Sequence, residues 1–235
     1  MTLKFYQNHL NFLINSGVNN FIQDVKYNKF DNKSQSISVN LDEINSLDTL
    51  RDFINSTNIC LLKKQAKKMV FSDGNPNSSI MFIGEAPGAD EDRIGKPFVG
   101  KAGQLLDKML KSINLNRKEV YISNVIPWRP PNNRQPTTEE IMQCLPFIQK
   151  HIEIIQPKIL ILLGSTASKA LLTTTQPMSK LIGTWHNYTS ININYSILTR
   201  SIYHPAFLLR KPENKKICWE DMKEIKKVIL KNDKI

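Results

Sequence analysis

Residues 159–163 read Ile-Leu-Ile-Leu-Leu and are followed directly by Gly164-Ser165. Five apolar residues without polar alternation are typical of a strand that is buried on both faces of a parallel sheet. Such a strand needs helices on both sides of the sheet, and the Gly-Ser pair is a plausible helix start. The stretch therefore predicts an α/β protein, a three-layer α/β/α sandwich around a mostly parallel sheet.

Short apolar runs alternate with amphipathic segments from Met69 onward, as expected for such a fold. The pattern predicts strands at 69–71, 80–83, 120–125, 159–163 and 196–202, and helices at 102–113, 138–155, 165–172 and 215–230. Asp73-Gly74 lies between two apolar runs and is interpreted as a hairpin turn.

The first 59 residues differ in texture, because they are rich in Asn and Ser. Apolar residues at helical spacing predict one helix over 3–14 and a second, short helix over 44–54, separated by a polar linker at 26–40. We expect these helices to pack on the main domain. The chain is therefore divided into a helical N-terminal extension, 1–59, and a main domain, 60–235.

The charge is unevenly distributed. Lys plus Arg number 32 against 21 Asp plus Glu, a net charge of +11, and residues 1–59 contribute −1, so that the rest carries +12. With 40% hydrophobic residues the chain is not intrinsically disordered. The basic excess predicts a polyanionic partner, and nucleic acid is favoured over a membrane surface because no basic amphipathic helix stands out.

The three cysteines, Cys60, Cys144 and Cys218, form no C-x-x-C pair and are too few for a disulfide scaffold. No apolar run approaches the roughly 18 residues of a membrane helix, and the N-terminus lacks the pattern of a secretory signal. We therefore expect a soluble, cytoplasmic protein without a membrane partner.

A glycine cluster follows the predicted strand at 80–83. Five of the nine glycines lie between Gly84 and Gly103, at the carboxyl end of that strand, where open α/β sheets bind ligands. The spacing matches neither G-x-G-x-x-G nor the P-loop, which disfavours a mononucleotide phosphate site. Glu85 and Phe98 place a carboxylate and a flat ring in the same region, which suits hydrolysis of a planar ligand.

Five motifs occur in a recognisable order: Gly-Glu-Ala-Pro-Gly at 84–88, Pro-Phe-Val-Gly at 97–100, Asn124, Arg-Pro-Pro at 129–131 and His-Pro at 204–205. In order and spacing they resemble the family 4 uracil-DNA glycosylases over about residues 60–230. The resemblance implies a DNA repair enzyme that extrudes uracil from single- or double-stranded DNA and hydrolyses its N-glycosidic bond. The product would be an abasic site, the first step of base excision repair, and the enzyme is expected to be a monomer.

The resemblance also implies residue roles. Phe98 would stack on uracil, Asn124 would pair with its edge, His204 would hydrogen-bond the leaving oxygen, and Glu85 would orient water and offset positive charge on the sugar. Glu91 either touches substrate or positions the loop. The expected catalytic set is Glu85, Asn124 and His204, and the expected uracil-binding set is Gly84, Ala86, Phe98 and Asn124.

DNA contacts are expected beside the base pocket. Leu208, Arg210 and Lys211, directly after His204-Pro205, resemble the family's wedge loop, which fills the gap left by the base while basic residues hold phosphates. Ser165 begins a predicted helix whose backbone N–H groups would suit a phosphate.

The chain departs from the family at the four cysteines that hold a [4Fe-4S] cluster. Cys60 and Cys144 match the first and fourth positions, while Lys63 and Trp128 occupy the second and third. Because two thiolates do not supply four ligands, we expect no cluster and no metal site. Trp128 is expected to fill part of the volume by apolar packing, with Lys63 reaching solvent.

Two alternatives to uracil excision stay open at this point. The chain could be a glycosylase of the same superfamily that prefers another deaminated base, because discrimination depends on the shape of the pocket. It could also be a catalytically silent DNA-binding or polymerase-associated domain that has retained the fold.

Overall fold

The computed structural model describes residues 41–232. The predicted helix at 3–14 and the linker at 26–40 lie outside this range. Nine α-helices occur within it: α1 Leu47–Ser56, α2 Leu62–Gln65, α3 Ala89–Ile94, α4 Lys101–Ser112, α5 Thr138–Ile155, α6 Ser165–Leu172, α7 Met178–Leu181, α8 Pro205–Arg210 and α9 Lys215–Asn232. None of these helices is long and apolar enough to cross a membrane.

The described part of the chain contains one six-stranded sheet. Its strands are β1 Asp73–Gly74, β2 Ile80–Gly84, β3 Tyr121–Asn124, β4 Ile159–Leu163, β5 Trp185–Ser190 and β6 Ile193–Ile202. Their order is β1-β3-β2-β4-β6-β5. The four inner strands are parallel, and the two edge strands pair antiparallel. The predicted mostly parallel sheet is thereby confirmed.

Strand β4 shows why its sequence is apolar throughout. Its side chains alternate between two cores, with Leu160 and Leu162 in one and Ile159, Ile161 and Leu163 in the other. All five residues are at most 2% exposed. Helices α1, α5 and α6 cover the first face, and α4, α8 and α9 cover the second. This arrangement is the predicted three-layer sandwich.

The helices with the clearest start signals have the predicted bounds. Helix α5 begins after Thr137, whose Oγ1 accepts the Glu140 N–H at 3.2 Å while the Glu140 carboxylate accepts the Thr137 N–H at 2.8 Å. This reciprocal pair satisfies two donors that a helix N-terminus leaves free. Helices α5 and α6 both span the predicted ranges.

Residues 69–74 were wrongly predicted. Residues 69–71 form no strand, because the Val70 N–H donates to the Pro127 carbonyl and the Phe71 carbonyl accepts the Ser123 hydroxyl. Asp73-Gly74 is not a hairpin turn but the edge strand β1, which pairs antiparallel with β3. Strand β5, largely polar at the opposite edge, was not predicted from the sequence.

The predicted short helix near residues 44–54 is α1, and it packs on the main domain as expected. Leu50 and Ile54 are at most 1% exposed and belong to the core that also contains Trp128 and Cys144. The Phe53 ring meets the Phe147 ring of α5 edge-on, with centroids 6.3 Å apart. Helix α1 therefore completes the first face of the sandwich.

Candidate active site

The site lies where the four parallel strands end. Gly84 at the end of β2 is opposite Asn124 at the end of β3, and Leu163 at the end of β4 is opposite Ile202 at the end of β6. The segments that follow these strands border one cavity of about 950 Å³. Seven of the residues predicted from the sequence line it, namely Glu85, Ala86, Phe98, Asn124, Ser165, His204 and Arg210.

Gly84 lets two of these side chains come together. A Cβ atom at this position would lie 2.4 Å from Asn124 Oδ1 and 2.5 Å from Phe98 Cζ. Such separations are far below van der Waals contact, so any larger residue would displace the amide or the ring. Because Gly84 has no side chain, the Asn124 amide and the Phe98 ring can both lie against its backbone.

Asn124 brings a hydrogen-bonding edge to the buried end of the cavity. The residue is 5% exposed, and its Oδ1 atom is buried without a partner among residues 41–232. The backbone around it is firmly held, because the next residue, Val125, donates its N–H to the Gly84 carbonyl at 3.0 Å. A buried acceptor without a donor costs free energy, which a ligand that carries an N–H group would recover.

His204 is fixed in one tautomer. Its Nδ1 atom accepts the Ala206 N–H at 3.1 Å, at the start of helix α8. Burial, with a smaller contribution from the Arg210 charge, lowers the pKa of His204 to about 4. The ring is therefore neutral at pH 7, and because Nδ1 is an acceptor, the proton is on Nε2. His204 offers one neutral N–H donor to a ligand.

Phe98 provides the flat surface of the pocket. It is 5% exposed, and its ring centroid lies 5.5 Å from that of His204, with 32° between the planes. Its backbone has a φ of 54°, in the left-handed region that non-glycine residues rarely occupy. The ring is thus presented from an unusual turn between α3 and α4.

Glu85 and Glu91 differ in what their carboxylates contact. Glu85 is half-buried, and its Oε2 accepts the Thr166 hydroxyl of α6 at 2.5 Å. The contact of Thr166 with Glu85 could not be predicted from the sequence, because it depends on the juxtaposition of β2 and α6. The Glu91 carboxylate accepts backbone N–H groups from Gly88, Val99 and Gly100 at 2.8 to 3.1 Å. Glu91 therefore positions the loop.

The predicted DNA-contacting residues separate into two groups. Ser165, Arg210 and Lys211 are exposed at or beside the cavity mouth. Leu208 is 1% exposed and belongs to the second core, because helix α8 turns this side chain inward. The contact of Leu208 with DNA stays a prediction, and Leu209, which is 44% exposed, is the leucine of this helix that reaches solvent.

The positions that match the family's cysteines lie on the first face of the sheet. Cys60, Cys144 and Trp128 are each at most 1% exposed in the same core. The Trp128 ring meets Phe147 edge-on, with centroids 6.2 Å apart at 86°. A hydrogen bond to Cys60, together with burial, raises the pKa of the Cys144 thiol, so that this thiol stays protonated.

Lys63 is half-buried, and its ammonium has hydrogen-bond partners that the sequence did not predict. Its Nζ donates to the carbonyl of Thr57 at 2.7 Å and to the carbonyl of Asn55. Both carbonyls lie at the C-terminal end of α1, where helical carbonyls lack partners within the helix and a cation is favourable. These contacts could not be predicted, because the sequence does not show that this helix end lies beside Lys63.

A neutral N–H donor, an unpartnered amide oxygen and a flat ring at the end of a parallel sheet define a pocket for a planar, hydrogen-bonding base. A family model described as "Uracil DNA glycosylase superfamily" matches residues 71–223. The chain belongs to the uracil DNA glycosylase superfamily.

Three similar proteins are each named Type-4 uracil-DNA glycosylase. The chain is 39% identical over 194 residues to a Type-4 uracil-DNA glycosylase of Saccharolobus solfataricus, which covers 79% of this chain and 88% of that protein. It is 38% identical to the Type-4 uracil-DNA glycosylase of Sulfurisphaera tokodaii, over 80% of this chain and 86% of that protein. It is also 38% identical to the Type-4 uracil-DNA glycosylase of Archaeoglobus fulgidus, over 77% of this chain and 92% of that protein.

Proposed function

We propose that this chain is a DNA repair glycosylase that removes uracil from DNA by hydrolysing its N-glycosidic bond. The observation that carries the proposal is the buried, unpartnered Oδ1 of Asn124 at the closed end of the cavity. Uracil has an N–H at position 3 that would satisfy this acceptor, whereas cytosine has an unprotonated nitrogen there. The family membership and the Type-4 relatives support the same assignment.

The amide of Asn124 reads one edge of the base. Its oxygen accepts from N3–H, and its NH₂ group is available to donate to O4. The Phe98 ring supplies the stacking surface, which recovers part of the cost of unpairing and unstacking the base. Base selection by Asn124 and base stacking on Phe98 therefore come from two side chains that meet over Gly84.

His204 acts on the leaving group. As the bond between N1 and C1′ breaks, its electron pair goes to the base and negative charge grows on O2. The neutral ring donates from Nε2 to this oxygen, and a donor already in place stabilises charge that develops in the transition state. Because the pKa of His204 is about 4, the ring does so at neutral pH as a hydrogen-bond donor and not as a cation.

Glu85 acts on the sugar side of the same bond. Its carboxylate offsets the positive charge that develops on the sugar and orients the water that adds to C1′. Thr166 donates to one carboxylate oxygen, which fixes the orientation of the group and leaves the other oxygen for the water. One proton of the water is released, the hydroxyl remains on C1′, and the uracil anion departs.

The assignment is tested by incubating the protein with oligonucleotides that contain uracil, hypoxanthine or thymine, followed by alkaline cleavage of abasic sites. We expect strand scission with uracil. Scission with hypoxanthine alone would support the other deaminated-base activity, and binding without scission on any substrate would support a silent DNA-binding domain. The same assay applied to His204→Ala tests the role of His204. His186→Ala is the matched control, because His186 lies on β5 and does not line the cavity.

The substrate form and the oligomeric state are further parts of the proposal. We propose activity on both single- and double-stranded DNA, with faster excision from single strands because no base pair has to be broken. We also propose a monomer, since the cavity already contains Glu85, Phe98, Asn124 and His204, the residues that the proposed chemistry needs. Rates on matched oligonucleotides and a sedimentation measurement test the two statements.

We propose that the chain binds no [4Fe-4S] cluster. Four cysteine thiolates hold such a cluster, and here the second and third ligand positions have other partners. Lys63 donates to two helix carbonyls, and Trp128 is packed against Phe147. Within residues 41–232 no three side chains of His, Cys, Asp or Glu are grouped as metal ligands.

Iron and acid-labile sulfide analysis of protein purified without oxygen tests this proposal, alongside absorbance near 400 nm. We expect neither iron nor sulfide in stoichiometric amounts. One cluster equivalent per chain would overturn the proposal, and purification without oxygen ensures that its loss through oxidation does not imitate the expected result.

A further inference from the structure

The backbone that presents Phe98 is strained and therefore needs support. Its φ of 54° is costly for a residue with a side chain, and such conformations persist only when their surroundings hold them. Helix α4 fixes one side, because a Cβ atom at Gly103 would lie 1.8 Å from the Phe98 carbonyl oxygen. The carbonyl is thus pressed against the first turn of α4, where only glycine fits.

Arg117 holds the carbonyl side of this segment. Its Nη1 donates to the Pro97 carbonyl at 3.0 Å, and its Nη2 donates to the Phe98 carbonyl. One planar guanidinium thereby binds two consecutive carbonyls, a geometry that lysine does not reproduce. On the opposite side, the Glu91 carboxylate accepts the next two N–H groups, those of Val99 and Gly100.

Arg117 is itself anchored by two carboxylates from different elements. Its guanidinium lies 3.0 Å from Asp73 on β1 and 3.0 Å from Asp107 on α4. The Arg117 side chain is 22% exposed, and the residue does not line the cavity described above. Its charge is thus balanced within the protein, which disfavours a role as a phosphate contact.

We propose that Arg117, anchored by Asp73 and Asp107, is a positioning residue that sets the base-stacking ring of Phe98. The inference rests on the proposed function, because it assigns Arg117 to the same pocket. Arg117 acts through the Phe98 backbone and touches neither the base nor the reacting atoms. This role could not be predicted from the sequence, since Arg117 lies outside every motif and its partners are distant along the chain.

A double-mutant cycle on uracil excision separates positioning from a general structural role. We expect Arg117→Gln to lower kcat/KM by about tenfold or more, because small displacements of positioned groups are costly. In the Phe98→Leu background the same change should cost less than about twofold, since residues that act as one unit are not additive. Arg117→Lys should recover only part of the loss.

Equal losses in both backgrounds would overturn the inference, as would an unchanged kcat/KM in Arg117→Gln. Arg93→Gln is the matched control, because Arg93 forms only an exposed pair with Asp90. If Arg117→Gln does not fold, Asp107→Asn takes its place in the same cycle and should show a smaller loss with the same dependence on Phe98. Inactive wild-type protein would overturn the proposed function, whereas an active wild type with an additive cycle overturns only the role of Arg117.

Discussion

The base pocket matches the family's sequence pattern more completely than the four cysteine positions do. In the pocket, Glu85, Phe98, Asn124 and His204 all match the motif residues, whereas two of the four cysteine positions hold Lys63 and Trp128. The regions are close along the chain, because Trp128 follows Asn124 by only four residues. The peptide between them is tied to the pocket, since Val125 and Ile126 donate to the carbonyls of Gly84 and Glu85.

The difference follows from what each region has to supply. A pocket that selects a base needs particular donors and acceptors, and another residue type leaves a buried polar group unpaired. The cysteine positions join α1, α5 and the loop after β3, and this role needs only contacts that stabilise the packing of the three segments. Trp128 supplies such contacts through apolar packing on α5, and Lys63 supplies them through hydrogen bonds to the end of α1.

Trp128→Ala should have the largest effect on stability. Removing a fully buried indole leaves a cavity, and such changes cost about 3–5 kcal/mol of the free energy of unfolding. Urea unfolding measures the loss, with Trp219→Ala as the control because Trp219 is 43% exposed. An equal cost for both tryptophans would contradict the role assigned to Trp128.

His204→Ala should have the largest effect on activity and a smaller effect on unfolding, because the substitution also removes the side-chain cap of α8. Loss of one preorganised donor to a developing anion lowers kcat about 10²–10³-fold. The measurement is single-turnover excision of uracil at saturating enzyme, which reports the chemical step. A change confined to DNA affinity would show that His204 binds the substrate but does not act on the leaving group.

Lys63→Met should have a smaller effect, and again on stability. Methionine keeps the length of the apolar stem but removes the ammonium that binds the carbonyls of Asn55 and Thr57. Because these hydrogen bonds come from a charged donor at a partly exposed site, their loss should lower the free energy of unfolding by about 1–2 kcal/mol. Lys64→Met is the control at an exposed neighbour, and a similar cost there would argue against the contact with α1.

Much of the fold and part of the site follow from local sequence. The uniformly apolar run at 159–163 and the amphipathic pattern at 138–155 carry their own structural meaning, so β4 and α5 were predicted correctly. The convergence of Gly84, Asn124 and His204 follows from parallel strand order. Contacts between distant segments do not: Arg117 with Phe98, Thr166 with Glu85 and Lys63 with α1 depend on tertiary structure. Strand β5 was missed because an edge strand needs little apolar patterning.

The smallest effect concerns two histidines with lowered pKa values: half-buried His204 in the pocket, and buried His151 on the face that holds the cysteine positions. Burial, with a smaller contribution from the Arg51 charge, lowers the pKa of His151 to about 3, and its Nδ1 lies 2.8 Å from the Tyr121 hydroxyl. Both histidines have folded pKa values below the unfolded value of about 6.5. Between about pH 4 and pH 6.5 the unfolded chain therefore binds more protons, and the free energy of unfolding falls as the pH falls.

Lowering the pH from 7.5 to 5.5 should cost about 1 kcal/mol of stability for each of these histidines, because the unfolded state is protonated while the folded state is not. His151→Gln should remove one such contribution, so that its urea midpoint depends less on pH than that of the wild type. His186→Gln, on the edge strand β5, controls for the loss of a histidine as such. Equal pH dependence in His151→Gln and the wild type would show that His151 takes up its proton without unfolding. Because His204 stays neutral down to about pH 4, its hydrogen bond to the leaving base should persist at pH 5.5 while stability declines.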